Sequence, residues 1–198
     1  MERCYVHENV ADKFIQMLKE RMEAATYGDG MKNPELTMGA MINKKATERV
    51  QGMVDRAVKA GAKVVTGGFL PEGPGAFYPP TLLTDAKQDS EIVQEEVFGP
   101  VLPVLTFKTV KEALDLVNDC QYGLTSSLYT ENYQTIMLFA NNVEYGELYV
   151  NRKHGGEAWQ GFHQGWKKSG IGGDDGWHGL QEFMQKRTVY MDFKTDLY

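Results

Sequence analysis

Short β-branched runs alternate with amphipathic runs along this chain, and that pattern demands a layered α/β domain whose helices cover a sheet. Cys4-Tyr5-Val6 reads as a short strand. Asn9 reads as the cap of a helix with Val10, Phe14, Met17, Leu18 and Met22 at helical spacing, broken by Tyr27-Gly28-Asp29-Gly30. The spacing predicts a second helix over residues 44–60 with Val50, Met53, Val54, Ala57 and Val58 inward. Gly61 stops it, and Lys63–Thr66 follows as a strand ended by Gly67-Gly68, a unit resembling a piece of a doubly wound sheet. Residues 78–84 and 101–107 read as extended, their prolines marking irregular or edge positions. A helix over 110–118, a strand over 125–129, a helix over 133–142 and a strand over 146–150 come next. Residues 151–176 form a long glycine-rich loop, a short helix covers 180–185, and 188–193 alternate as a final strand.

Composition narrows the function classes. The 198 residues suffice for one domain with a real core, and no repeat or linker divides them. A net charge of −6 with interleaved signs argues against nucleic acid, which needs a basic face. No apolar run approaches a membrane helix, and no apolar signal segment opens the chain. Cys4 and Cys120 cannot build a disulfide framework, so a reducing cytoplasm is the expected compartment.

Candidate motifs divide into weak and open ones. His7, His154, His163 and His178 lack tight ligand spacing, so no metal site is expected. Ser169-Gly170-Ile171-Gly172-Gly173-Asp174-Asp175-Gly176 follows no predicted strand in a βαβ unit and misses Gly-x-Gly-x-x-Gly; it reads as a tight loop that positions its neighbours. Cys4 sits in a strand between Arg3 and Tyr5, where a packing role is expected over a nucleophilic one. Cys120, in the turn after a helix, reads as inert. Glu95-Glu96-Val97-Phe98-Gly99-Pro100 stays open, either a helix end with solvated acids or a carboxylate and ring offered to a ligand.

That last motif resembles the Glu-x-Phe-Gly-Pro signature of the NAD(P)-dependent aldehyde dehydrogenases. Five further segments agree in order: Gly39-Ala40-Met41-Ile42-Asn43, Tyr78-Pro79-Pro80-Thr81-Leu82, residues 118–124 ending in Tyr122-Gly123-Leu124, Tyr149-Val150-Asn151, and Lys168-Ser169-Gly170-Ile171-Gly172. Asn151-Arg152, Gly161-Phe162-His163 and Gly165-Trp166-Lys167-Lys168-Ser169-Gly170 most resemble the lactaldehyde/glycolaldehyde branch. The resemblance implies a three-layer, mostly parallel doubly wound sheet. It makes residues 1–186 a catalytic-type domain lacking its first segment and 187–198 an oligomerisation arm.

It also implies roles. In such enzymes a cysteine thiolate attacks the aldehyde, hydride passes to NAD or NADP, and a glutamate-activated water releases the acid. Glu96 is expected at the nicotinamide ribose and Phe98 beside the nicotinamide ring. Asn151, Glu157 and His163 are expected to line the substrate pocket, where polar groups recognise a 2-hydroxyl and reject analogues without it. Glu157 and His163 also fit solvated loop positions. Alignment on Arg3 places the nucleophilic cysteine about three residues before Met1, and the dinucleotide-binding half is absent as well. The isolated chain is therefore expected to be inactive and to bind no cofactor tightly. Homo-oligomers are expected, with a polypeptide carrying the N-terminal half as a further candidate partner, because the final strand would otherwise be an unpaired edge. The alternative is a non-enzymatic subunit-interaction or scaffold protein derived from the same fold.

Overall fold

Period-two alternation in three neighbouring strands decides the first unit. A computed structural model of the chain describes residues 1–153 and 159–193. They form two compact units, divided between Cys120 and Gln121. In the first unit β1 (Cys4–His7), β4 (Val101–Phe107), β3 (Thr81–Thr84) and β2 (Lys63–Thr66) form one sheet in that spatial order. β1 and β3 both run parallel to β4, while β2 joins β3 antiparallel at the edge. The sheet is thus mixed, with helices between its strands.

Successive side chains leave a strand on opposite faces, and each face has its own apolar cluster. Val6, Leu82, Leu102 and Val104 meet α1 (Glu8–Glu23) through Ala11, with Cys4, Ile15, Leu18 and Met22 packed around them. Leu83, Val101 and Leu105 point into the other cluster, built from Val50, Met53, Val54 and Ala57 of α2 (Lys44–Lys59) and Ile92 and Val93 of α3 (Glu91–Gln94). Tyr5 packs on this second side while its neighbours Cys4 and Val6 belong to the first. Leu82 and Leu83, both fully buried, serve opposite faces through one step of the chain.

α1 departs from its expected form in two ways. Its cap is His7, whose Nδ1 accepts from the Asn9 amide at 3.2 Å, so the helix leaves β1 without a spacer. The buried stripe is Ala11, Ile15, Leu18 and Met22, while Val10, Phe14 and Met17 are exposed by 55, 37 and 55%. Both stripes have helical spacing, and only the position of the sheet selects between them. Val58 of α2 is likewise on the outer side. Asn43 caps α2 by accepting from the Ala46 amide at 2.8 Å, and Thr109 caps α4 (Val110–Asn118) by accepting from Glu112.

The second unit is built on a parallel pair, β6 (Thr125–Leu128) and β7 (Glu147–Val150), joined by α5 (Tyr133–Asn142). β5 (Tyr122–Gly123) pairs antiparallel with β9 (Trp166–Lys167), and β8 (His163–Gln164) with β10 (Gly173–Asp174). The segment read as one long loop therefore contains three two-residue strands. The last helix, α6, spans Gly176–Glu182, earlier than the 180–185 expected. Residues 188–193 form no strand among the described residues, and Val189, Tyr190, Met191 and Phe193 are exposed. An alternating segment becomes a strand only when another edge satisfies its backbone, and no described residue does so here.

Candidate functional site

In the first unit the Glu96–Phe98 turn follows α3 directly, and three long-range contacts shape it. The Glu2 carboxylate accepts from the Val97 amide at 2.9 Å. The Arg49 guanidinium donates to the Val97 carbonyl and, at 3.1 Å, to the Met53 sulfur. The Arg3 guanidinium donates to the Val93 carbonyl at 3.1 Å. Val97 is completely buried, while Glu96 and Phe98 on either side of it are exposed. Phe98 has φ 47° and is 70% exposed, an apolar ring held in solvent by a backbone conformation that L-residues rarely adopt. Gly99 has no room for a side chain, since a Cβ there would lie 2.8 Å from Val50 Cγ2.

Glu96 is exposed but sits close to protein on one side. Partial desolvation first, and the charge of Glu2 second, push its carboxyl above the usual range, against a smaller pull from the terminal ammonium. The turn thus offers a carboxylate and a flat apolar face side by side. The two outward-facing groups, Glu96 and Phe98, come from one pinned backbone. The residues that pin it, Glu2 and Arg49, were invisible to spacing because they lie far away in sequence.

Cys4 is half-buried with its side chain in the α1 cluster, and burial pushes its thiol up to about 11. A thiol so placed stays protonated at neutral pH and is a poor nucleophile. Cys120 is buried and also free of disulfide bonding. Among the described residues no His, Cys, Asp and Glu group could hold a metal ion, and no helix is long and apolar enough to cross a membrane.

The second unit holds Asn151 and His163; Glu157 lies outside the described residues. Asn151 follows β7 at φ 53°, its amide donating to the Leu128 carbonyl at 2.8 Å. Its side chain accepts from the Thr130 amide at 2.9 Å and donates to the Thr130 carbonyl at 2.8 Å. Both ends of that side chain are used in closing the β6–β7 edge, which makes Asn151 a clamp on the Thr130 turn.

His163 lies in β8, and its Nδ1 is 2.7 Å from Glu147 Oε1 in β7. The other oxygen of Glu147 accepts from the Tyr149 hydroxyl at 2.8 Å. Glu147 and Tyr149 are two apart in a strand and share a face, which is how one carboxylate meets both. The Arg152 guanidinium stands 5.6 Å above the Tyr149 ring centre. β10 holds β8 in place, Asp174 opposite His163 and Gly173 opposite Gln164, so the glycine string serves as a pairing edge. Asn151 and His163 are therefore secured by different partners. Reading 146–150 only as a strand missed Glu147 and Tyr149; two polar residues at i and i+2 of a half-buried strand were the available signal.

The aldehyde dehydrogenase family model matches residues 1–189. Lactaldehyde dehydrogenase of Escherichia coli (strain K12) is 48% identical over 190 residues, covering 96% of this chain and 40% of that protein. The 3,6-anhydro-alpha-L-galactose dehydrogenase of Vibrio sp. (strain EJY3) is 41% identical over 196 residues, covering 97% of this chain and 40% of that protein. The crystal structure of the Escherichia coli lactaldehyde dehydrogenase superposes with TM-score 0.92 at 49% identity, over 96% of this chain and 40% of that one. A structure of 3,6-anhydro-L-galactose dehydrogenase in complex with NAP superposes with TM-score 0.90 at 42% identity, again over 96% and 40%. The chain thus spans about two fifths of the length of these relatives. With nearly every residue inside that match, the chain belongs to the aldehyde dehydrogenase family.

Proposed function

We propose that this chain is the C-terminal, catalytic-domain portion of an NAD(P)-dependent aldehyde dehydrogenase that oxidises a small 2-hydroxyaldehyde, of the lactaldehyde or glycolaldehyde kind, to its carboxylate. The observation that carries this reading is the 48% identity to a lactaldehyde dehydrogenase along 96% of the chain. In this reading residues 1–186 belong to a three-layer, mostly parallel doubly wound domain, and α1 on one sheet face with α2 and α3 on the other supports it. Residues 187–198 are the oligomerisation arm of a homo-oligomer, supported by the exposed apolar side chains of Val189, Tyr190, Met191 and Phe193. Two free cysteines agree with a cytoplasmic setting.

NAD or NADP, when bound, supplies the hydride acceptor. Glu96 and Phe98 fit it: a carboxylate suits ribose hydroxyls, and an exposed ring with fixed backbone suits a flat nicotinamide. Asn151 shapes the substrate wall through the turn it closes on Thr130. His163, with Glu157, meets the substrate hydroxyl. Neither Cys4, whose thiol is held protonated, nor Cys120, which is buried, supplies the nucleophile. The isolated chain accordingly performs no turnover, and the remainder of the parent supplies the reactive cysteine and the dinucleotide domain.

Mixing the chain with a polypeptide carrying the rest of such an enzyme, and following NADH or NADPH formation with lactaldehyde, tests the reading. Turnover that neither polypeptide shows alone is expected. Stable association without turnover points instead to a subunit-interaction or scaffold role, which the exposed apolar C-terminal segment favours. Loss of any activity of the chain alone on Cys4→Ser contradicts the packing role of Cys4.

A further inference from the structure

We propose that Glu147, steadied by Tyr149, is a positioning residue that fixes which nitrogen of His163 faces the substrate and so selects aldehydes carrying a neutral hydroxyl. The proposal builds on the reading of His163 as a substrate-pocket residue. An ionised carboxylate offers only acceptors, so the nitrogen that meets Glu147 Oε1 at 2.7 Å, Nδ1, must carry the proton. In the neutral ring Nε2 is then an acceptor, and it makes no hydrogen bond among the described residues. An acceptor at that point takes the proton of a substrate O–H. It has nothing to offer a bare methylene, and it repels an anionic substituent at the same carbon.

The carboxylate is built into the wall around it. Its side chain is only 19% exposed while that of His163 is 46% exposed, so the dyad has an inner anchor and an outer tip. Oε1 takes the imidazole and Oε2 the Tyr149 hydroxyl at 2.8 Å, which fixes the carboxylate plane. The Glu147 backbone is tied as well: its amide donates to the Leu124 carbonyl at 3.1 Å, and its carbonyl accepts from the Ser126 hydroxyl at 3.1 Å. On the other side β10 pairs with β8, and a Cβ on Gly173 would lie 2.6 Å from the His163 carbonyl oxygen, so the two backbones approach as closely as glycine allows. Both ends of the dyad are thus carried on paired strands, which suits a group that must be placed to a fraction of an ångström.

The direct test is imidazole ¹⁵N–¹H correlation NMR of the 198-residue chain at pH 8.5, with the His163 signals assigned by their loss in His163→Gln. The Nδ1–H tautomer is expected in the wild type. Glu147→Leu is expected to move His163 to the Nε2–H form that free side chains prefer, and Tyr149→Phe to produce a mixture with the fold intact. A wild-type Nε2–H tautomer overturns the proposal even if Glu147→Leu does not fold. In the assembled enzyme, Glu147→Leu should raise KM for lactaldehyde about tenfold, the worth of one well-placed hydrogen bond, and leave KM for propanal and both kcat values within about twofold. His163→Ala abolishing the preference for lactaldehyde while Glu147→Leu retains it overturns the positioning role alone. His163→Ala leaving that preference intact overturns the pocket reading itself.

Discussion

The Glu2 carboxylate accepts a hydrogen bond from the Val97 amide at 2.9 Å, joining residues 95 apart in the chain. Val97 is completely buried, so without Glu2 that amide has no water to turn to. Leaving a buried donor unsatisfied costs about 1–3 kcal/mol, and Glu2→Ala should lose stability in that range by urea titration. Glu2→Gln keeps an acceptor and removes the charge. Since the Glu2 charge is the second cause raising the Glu96 carboxyl, after desolvation, Glu2→Gln should bring the Glu96 midpoint down toward the ordinary range. Carboxyl ¹³C titration would read it, and an unmoved midpoint would contradict the assignment.

Alkaline pH should weaken the first unit through a half-buried thiol and a buried phenol. Burial raises the Cys4 thiol from 9.0 to about 11, and burial with the nearby charge of Asp55 raises the Tyr78 hydroxyl from 10.0 to about 12. The unfolded chain gives up these protons first, so the stabilisation is complete below pH 9 and drains away as pH climbs through 11 and 12. Urea midpoints measured from pH 7 to 11 should fall above pH 9, and Cys4→Ala should flatten the decline. Below pH 8 the thiol should react with disulfide reagents far more slowly than a free cysteine.

Two glycines in the second unit should respond differently to the same substitution. A Cβ on Gly146 would lie 1.8 Å from the Gln164 carbonyl oxygen, with backbone as the obstacle. Gly146→Ala should therefore cost about 2–3 kcal/mol, the upper range for forced overpacking. A methyl at Gly172 would meet nothing within 4 Å, and Gly172→Ala should stay within about 0.5 kcal/mol of wild type. Equal thermal melts for the two variants would refute the close approach of Gly146 to Gln164.

Asn151 should prove structural before it proves selective. Asn151→Gly keeps the left-handed turn at φ 53° and removes both bonds to Thr130, for a loss of about 1–2 kcal/mol. Asn151→Ala adds about 1 kcal/mol of backbone strain at the same φ. Amide exchange at Thr130 should quicken in both variants, and protection equal to wild type would rule out the clamp.

The exposed ion pair between Arg56 and Glu91 should matter little. Its two contacts, at 2.7 and 3.0 Å, link α2 to α3 and hold the Glu91 carboxyl below the usual range, yet both side chains are about half in water. Arg56→Ala should barely move the urea midpoint, and high salt should erase most of the difference from wild type. A large, salt-insensitive loss in a denaturation series would show that packing of the arginine stem is the real contribution.

Element types and most boundaries were legible in the residues themselves, because helix and strand periods are local. Residues 133–142 became α5, Lys63–Thr66 became β2, and Leu82 and Leu83 took opposite faces as alternation requires. The motifs around Phe98 and Asn151 also carried the family, since their residue types and order survive without coordinates. Which of two equally periodic stripes of α1 is buried was a matter of packing, because the choice depends on where the sheet lies. Packing likewise joined Glu2 to Val97 and Glu147 to His163, contacts set across distant strands and turns that no local spacing encodes. Among the described residues it also left 188–193 without a ladder, since a strand is a property of two edges and the alternating residues supply only one.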